Sequence, residues 1–174
     1  MAFARTWSEK VGSEDSQGRA LWALGTCVGR SKNTSFHTLA ARLFDQSLPS
    51  SSKFTSPRSC AFALIGIHEY LERLPGDRLV NQIRDTLTTR LLEHFKTNRE
   101  TDWIWFEQSL TYENAKVPHA LILTGRKGGL KEVLETGLES LKWLVQIQSA
   151  SAGYFRPIGS NGFFTRGGAP ARYD

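Results

Sequence analysis

Apolar positions along this chain fall into two patterns, and both have the period of an α-helix. In the first pattern nearly every position is apolar or small. Residues 19–28 (RALWALGTCV), 58–71 (with CAFALIGI at their centre) and 115–124 are such runs. A helix that is apolar around most of its girth is a buried one. In the second pattern only one face is apolar. Phe36, Leu39, Ala40, Leu43 and Phe44 mark a helix over 36–44. Leu79, Ile83, Leu87, Leu91 and Phe95 mark one over 77–96, and Val133, Leu134, Leu138, Leu141 and Val145 one over 130–148. The two kinds alternate. This predicts an all-α protein of about three helical hairpins, with buried helices inside and amphipathic helices outside.

Breakers divide the pattern. Residues 1–14 read as an extended lead-in or the tail of an earlier element, and SEDSQ at 13–17 as a polar turn. Gly29 ends the first helix, and residues 31–34 turn the chain. Residues 47–57 read as a Ser/Pro loop, with Ser56 as N-cap and Pro57 at the first helical position. Pro75-Gly76-Asp77 is a turn. Pro118 is tolerated only near a helix start, so the fifth helix begins close to Asn114; Gly125 closes it and Gly128-Gly129 breaks the chain. Residues 149–174, rich in Gly, Pro, Arg and aromatics, read as a long ordered loop or short hairpin. The whole chain, 1–174, is expected to form one domain.

The three inner helices begin alike. Gln17-Gly18-Arg19 leads to Gly25, Ser56-Pro57-Arg58 to Gly66, and Asn114-Ala115-Lys116 to Gly125. In an array of hairpins the inner helices run the same way, so their N-terminal ends gather on one rim. That is where the polar chemistry is expected, since helix N-termini favour bound oxygen atoms and anions.

Composition narrows the classes. A 40% hydrophobic and 22% charged chain is globular, and no run of about 20 apolar residues marks a membrane span. The start has no apolar leader, which suggests a cytoplasmic protein. The net charge of +5 comes from bases scattered over Arg30, Lys32, Arg84, Arg90, Lys96, Arg99, Arg126 and Lys127. They form no stripe, so no nucleic-acid partner is expected. Cys27 and Cys60 sit singly in apolar runs and read as buried structural thiols. With no Cys/His cluster and no paired His spacing, no metal or other cofactor is expected.

The densest chemistry lies at residues 103–125, WIWFEQSLTYENAKVPHALILTG. Rings flanked by acids and amides suit a sugar, whose CH faces stack while its hydroxyls need hydrogen bonds. Asp15 and Glu107, on different rim loops, are the candidate acid/base pair; glycoside hydrolysis needs two carboxylates roughly 5–10 Å apart. Glu14 and Glu113 fit better as favourable charges at helix N-termini. Arg19, Trp105, Tyr112, Asn114, His119, Tyr154 and Arg156 are the candidate substrate-binding residues. Several have a plainer alternative. Arg19, Arg58 and Lys116 suit bridges to rim carboxylates, Trp22 a core or pore-lining ring, and His119 a core imidazole. His37, His68 and His94 read as surface or edge residues.

Four strings, EDSQGRALWALG, SPRSCAFALIG, WFEQSLTYENAKVPHALILTG and GYFRPIGSNGFFTRGG, resemble the repeats of bacterial six-hairpin (α/α) toroid proteins. More narrowly, they resemble the helical domains found with or beside bacterial glycosyltransferases. The resemblance covers about residues 14–174. It implies a carbohydrate-active or carbohydrate-binding domain, a sugar or glycan as ligand, and a glycosyltransferase domain as a partner. A complete toroid of that family has twelve helices, so these six imply a partial copy whose missing half is a further expected partner. The alternative function is a helical-repeat scaffold that binds protein without catalysis.

Overall fold

The computed structural model describes Thr6 and residues 12–173. Among these are six helices: α1 (Glu14–Arg30), α2 (Thr34–Ser51), α3 (Pro57–Leu71), α4 (Arg78–Asn98), α5 (Lys116–Gly128) and α6 (Lys131–Ile147). Two short strands, β1 (Ser109–Leu110) and β2 (Phe164–Thr165), pair antiparallel, Ser109 opposite Thr165 and Leu110 opposite Phe164. The lead-in expected over residues 1–14 lies outside the described residues except at Thr6 and residues 12–14.

The fold is all-α, in hairpins α1–α2, α3–α4 and α5–α6, with α1, α3 and α5 packed side by side. The inner helices are parallel. Gly18 lies against Ser59, Gly25 against Gly66 and Gly29 against Glu69, so α1 and α3 advance together. Tyr112 meets Arg58 at one end, and Thr124 meets His68 further along, so α3 and α5 do the same. Within the third hairpin, Gly125 faces Leu134 and Gly137 faces Ile122, which makes α5 and α6 antiparallel.

Of the three apolar runs, only α3 is buried on every side, with residues 57–68 and Tyr70 all inside. It has an inner helix on each flank. α1 buries Gly18, Leu21, Gly25 and Val28, and leaves other positions partly or fully exposed, because it lies at one end of the layer. The glycines at 25, 29 and 125 do not end their helices. A Cβ on Gly66 would sit 2.7 Å from the Cα of Trp22, and Gly25 faces Gly66 itself. These glycines let two backbones touch, and the αL residue that ends α5 is Gly129.

Other boundaries move for physical reasons. α1 begins five residues before Arg19, at Glu14, because the Ser13 side chain accepts the Ser16 N–H at 3.2 Å and Glu14 and Asp15 favour the helix start. α2 runs through the expected Ser/Pro loop to Ser51. The hydroxyls of Ser47, Ser50, Ser51 and Ser52 each donate to a carbonyl three or four residues back, and Leu48 is buried. On α4, Val80 is buried and Leu79 is exposed. On α6, Leu138 and Val145 of the expected stripe face out, while Val133, Trp143 and Leu144 face in. The 149–173 segment forms turns and one strand. Phe164 sets its ring edge against Trp103 at 5.2 Å, and the Arg166 guanidinium reaches Glu100 at 2.7 Å.

Candidate functional site

The rim at the N-terminal ends of α1, α3 and α5 is assembled from three segments far apart in sequence. Asp15, Arg19 and Trp22 share one face of α1, at helical spacing. Arg58 opens α3, with Phe62 one turn on. Glu107, Tyr112 and Glu113 come from the segment before α5, and Lys116 begins that helix.

The Tyr112 segment is held in shape before it meets the others. Glu113 has φ of 51°, a left-handed backbone that side chains other than Gly and Asn seldom adopt. The Asn114 amide latches the turn: its oxygen accepts the Thr111 N–H and its nitrogen donates to the Thr111 carbonyl, both at 3.1 Å. Trp103 donates from Nε1 to the Glu107 carbonyl at 2.7 Å, and β1 pairs with β2 just beyond.

On this frame the charged groups form one connected network. Arg58 Nη2 donates to Glu107 Oε1 at 3.0 Å. Arg58 Nη1 lies 2.8 Å from Glu107 Oε2 but off the line of a hydrogen bond, so that second arm is purely electrostatic. The Arg58 guanidinium stands 5.0 Å from the Tyr112 ring centre. The Tyr112 hydroxyl donates to Asp15 Oδ1 at 2.9 Å, and Arg19 Nε donates to Asp15 Oδ2 at 2.9 Å. Arg19 also reaches Glu113 at 3.7 Å and covers the Phe62 ring at 4.3 Å. Among the described residues Lys116 pairs with no rim carboxylate; its ammonium sits 4.1 Å from the Trp22 ring centre, and Trp22 stacks on Phe62.

Electrostatics follow from this wiring. Burial pushes the Asp15 carboxyl up. The hydrogen bonds from Arg19 and Tyr112 and the charges of Arg19 and Arg58 outweigh it, leaving Asp15 below the usual carboxylate range. Burial and the Asp15 carboxylate together raise the Tyr112 phenol. Asp15 is therefore a fixed anion that accepts hydrogen bonds, a poor proton donor near neutral pH. Glu107 is tied to Arg58, whose guanidinium also stands over the Tyr112 ring.

The structure brings Asp15, Arg19, Tyr112 and Glu107 together, and Arg58, Trp22, Phe62 and Lys116 join them. The other expected site residues go elsewhere. Trp105 is fully buried, stacked on Trp143 at 6.0 Å, and its ring is closed to a ligand. Asn114 is buried and spends its amide on the latch. His119 is exposed on α5, beside a cavity of about 400 Å³ that it shares with Ile122, Leu123, Arg126 and Lys127. Tyr154 and Arg156 lie exposed on the C-terminal segment, with no hydrogen bond or ring contact to the rim among the described residues. Glu14 is structural: it accepts the N–H groups of Thr55 and Ser56 at 2.8 and 2.9 Å, just before α3. The buried histidine is His68, which bonds Thr124 Oγ1 at 2.8 Å. Cys60 is buried as expected, and Cys27 only partly.

A larger cavity, about 770 Å³, lies along α4 on the outer layer. It has no aromatic lining, and its Arg90 is already spent on the Ser52 and Phe54 carbonyls. The rim, though more open, holds the ring and charge chemistry. Among the described residues no group of His, Cys, Asp and Glu is arranged to hold a metal, and no helix is long and apolar enough to cross a membrane. No family model, curated protein or solved structure matches the chain.

Proposed function

We propose that the rim recognises a sugar or glycan and performs no chemistry on it. The observation that carries this reading is Tyr112: a ring 46% exposed, oriented by Asp15 through its hydroxyl and flanked by the guanidinia of Arg19 and Arg58. A half-exposed aromatic ring among fixed donors and acceptors suits a pyranose, which offers a CH face and a ring of hydroxyls. The ion-paired state of Asp15 and Glu107 argues against the acid/base roles expected of them, since each carboxylate is committed to a guanidinium. The three-hairpin array with parallel inner helices is in keeping with half of an (α/α) toroid. In that setting the domain would present a glycan beside a glycosyltransferase.

A second reading is favoured by one specific observation. All four rim carboxylates, Glu14, Asp15, Glu107 and Glu113, already have partners within the chain. That is the wiring of a scaffold whose rim stabilises the array and whose surface binds protein.

Glycan-array binding followed by titration calorimetry separates the two. Glycan binding that is lost in Tyr112→Ala and retained in Tyr154→Ala supports the sugar reading. A folded chain that binds no glycan overturns it in favour of the scaffold.

A further inference from the structure

At the end of α3 away from the rim, α3, α4 and α5 border a second polar cavity. It measures about 310 Å³, and its polar lining is His68 and Glu72 at the end of α3, Asn81 and Arg84 of α4, and Lys127 of α5. His68 is the deepest of these, 3% exposed. Its tautomer follows from its partner. The Thr124 hydroxyl has one hydrogen and donates it to the Ala120 carbonyl at 2.8 Å. Thr124 Oγ1 therefore accepts the bond from His68, whose Nε2 lies 2.8 Å away and carries the imidazole hydrogen. Nδ1 is left as a bare acceptor, with no hydrogen bond among the described residues. Unlike the Trp105 indole N–H it is not sealed off, and it opens on the cavity that His68 lines. An acceptor this deep calls for a donor. The charges around it are unevenly placed. Arg84 is 25% exposed and its partner Asp85 63%; Lys127 is 40% exposed and its partner Glu72 55%. The cation is the inner member of both pairs. After burial itself, the charges that act on the imidazole are those of Lys127, Arg84 and His119. Asn81 fixes Arg84: its oxygen accepts from Nη1 at 2.7 Å, while its nitrogen donates to the Pro75 and Asp77 carbonyls at 3.0 and 2.6 Å.

We propose that this cavity binds a phosphate group, free or as a monoester, whose P–OH donates to His68 Nδ1 and whose other oxygens accept from Arg84 and Lys127. The choice of ligand rests on the two demands together. A bare acceptor would take any donor, and two inward cations would take any anion. Both are met by an anion that still carries a hydrogen. A phosphate monoester keeps one near neutral pH, since its second ionisation lies at about 6. A carboxylate and a sulfate have lost theirs, and would set an oxygen lone pair against the lone pair of Nδ1. The site stands apart from the rim and does not depend on what the rim binds.

Titration calorimetry of the full chain at about pH 6 with inorganic phosphate, glycerol 1-phosphate and sulfate tests this. The expected result is binding of phosphate or its ester, with sulfate at least about tenfold weaker, because a site built for a donated hydrogen rejects the analogue that lacks it. Tighter binding of glycerol 1-phosphate than of phosphate makes the ligand an ester, and the reverse makes it the free anion. Lys127→Met should weaken binding at least about tenfold, and Lys131→Met, on α6 and outside the cavity lining, should not. Both side chains are partly or largely exposed, and far-UV circular dichroism checks that the variants fold. Nitrogen-15 NMR of the parent chain needs no variant: the Nδ1 signal of His68 should move on adding phosphate and stay in place with sulfate. Absence of binding by both phosphate and its ester overturns the proposal. So does sulfate binding as tightly as phosphate, and so does phosphate binding that leaves the Nδ1 signal unmoved.

Discussion

Arg58 and Gly66 stand on the same buried helix, α3, and different physics holds each in place. Arg58, in the first turn, is surrounded by a carboxylate and a tyrosine ring, and its environment is set by charge and hydrogen-bond direction. Gly66, further along, touches the backbone of α1 and has no polar contact to make. Backbone packing at that distance is a hard-wall constraint, where one added methyl is felt at once. The polar rim is softer: ions can exchange partners with water or a ligand at modest cost. The same helix therefore meets α1 backbone to backbone at Ser59 and Gly66, and carries its charged contacts in its first turn.

The largest expected effect lies on the hard side. Gly66→Val places branched carbons into the main chain of Leu21 and Trp22. It should cost more than about 3 kcal/mol, at the upper end of overpacking effects, and Gly66→Ala about 2 kcal/mol. Thermal or urea unfolding measures both. A Gly66→Ala variant as stable as the parent would mean that α1 and α3 slide apart freely, and the contrast with the rim would fail.

His68 belongs to the same half of α3 and adds a pH dependence. Burial, reinforced by the charges of Lys127 and Arg84, lowers its imidazole to about 4. The unfolded chain takes up this proton near pH 6.5, and the folded chain refuses it until about pH 4. The contribution is thus complete above pH 6.5 and is lost as pH falls towards 4, by up to about 3 kcal/mol. His68→Gln should flatten that part of the stability profile. An unchanged slope would show that the imidazole is not held neutral.

On the soft side, Arg58→Met strands Glu107 beside an apolar chain. A fully buried pair broken in this way loses about 3–5 kcal/mol, and the partial exposure of Glu107 should bring the loss to about 2 kcal/mol. Glu107→Gln in the same chain should recover most of it, because the remaining group is then neutral. No recovery in the double variant, measured by urea unfolding, would mean that Arg58 acts through packing rather than charge.

This contrast also explains what was legible in the sequence. Apolar period and the cap and breaker residues near Asp77 and Gly129 are local signals, so the helices and the common direction of the inner three could be read. The meaning of the glycines could not. A glycine that ends a helix and one that admits a neighbouring backbone look alike until the neighbour is known. The tail of α2 was hidden because its serines, typical of loops, cap their own carbonyls. In the candidate site, Asp15, Arg19, Tyr112 and Glu107 were legible as rim residues because helix starts are local. Their pairing was not, since Arg58 finds Glu107 and Tyr112 finds Asp15 only through the fold. Trp105 was misread because a ring placed before a helix can turn outward or inward, and here Phe106 and Trp143 draw it inward.

Tyr112→Phe should have the smallest effect on stability and the most informative effect on binding. It removes one partly exposed hydrogen bond to Asp15, whose charge Arg19 still neutralises, so the stability loss should stay below about 1 kcal/mol. The ring remains and keeps its guanidinium contacts, but it loses the hydroxyl's tie to Asp15, and Asp15 is left with one free oxygen. If the rim binds a glycan through the open ring alone, Tyr112→Phe should bind as the parent does and only Tyr112→Ala should fail. If the hydroxyl's grip on Asp15 sets the angle of the ring, Tyr112→Phe should bind several-fold more weakly at unchanged stability. Calorimetric titration of parent, Phe and Ala variants distinguishes the two. A rim that loses stability in step with binding in all variants would instead place Tyr112 with Gly66, as a part of the scaffold.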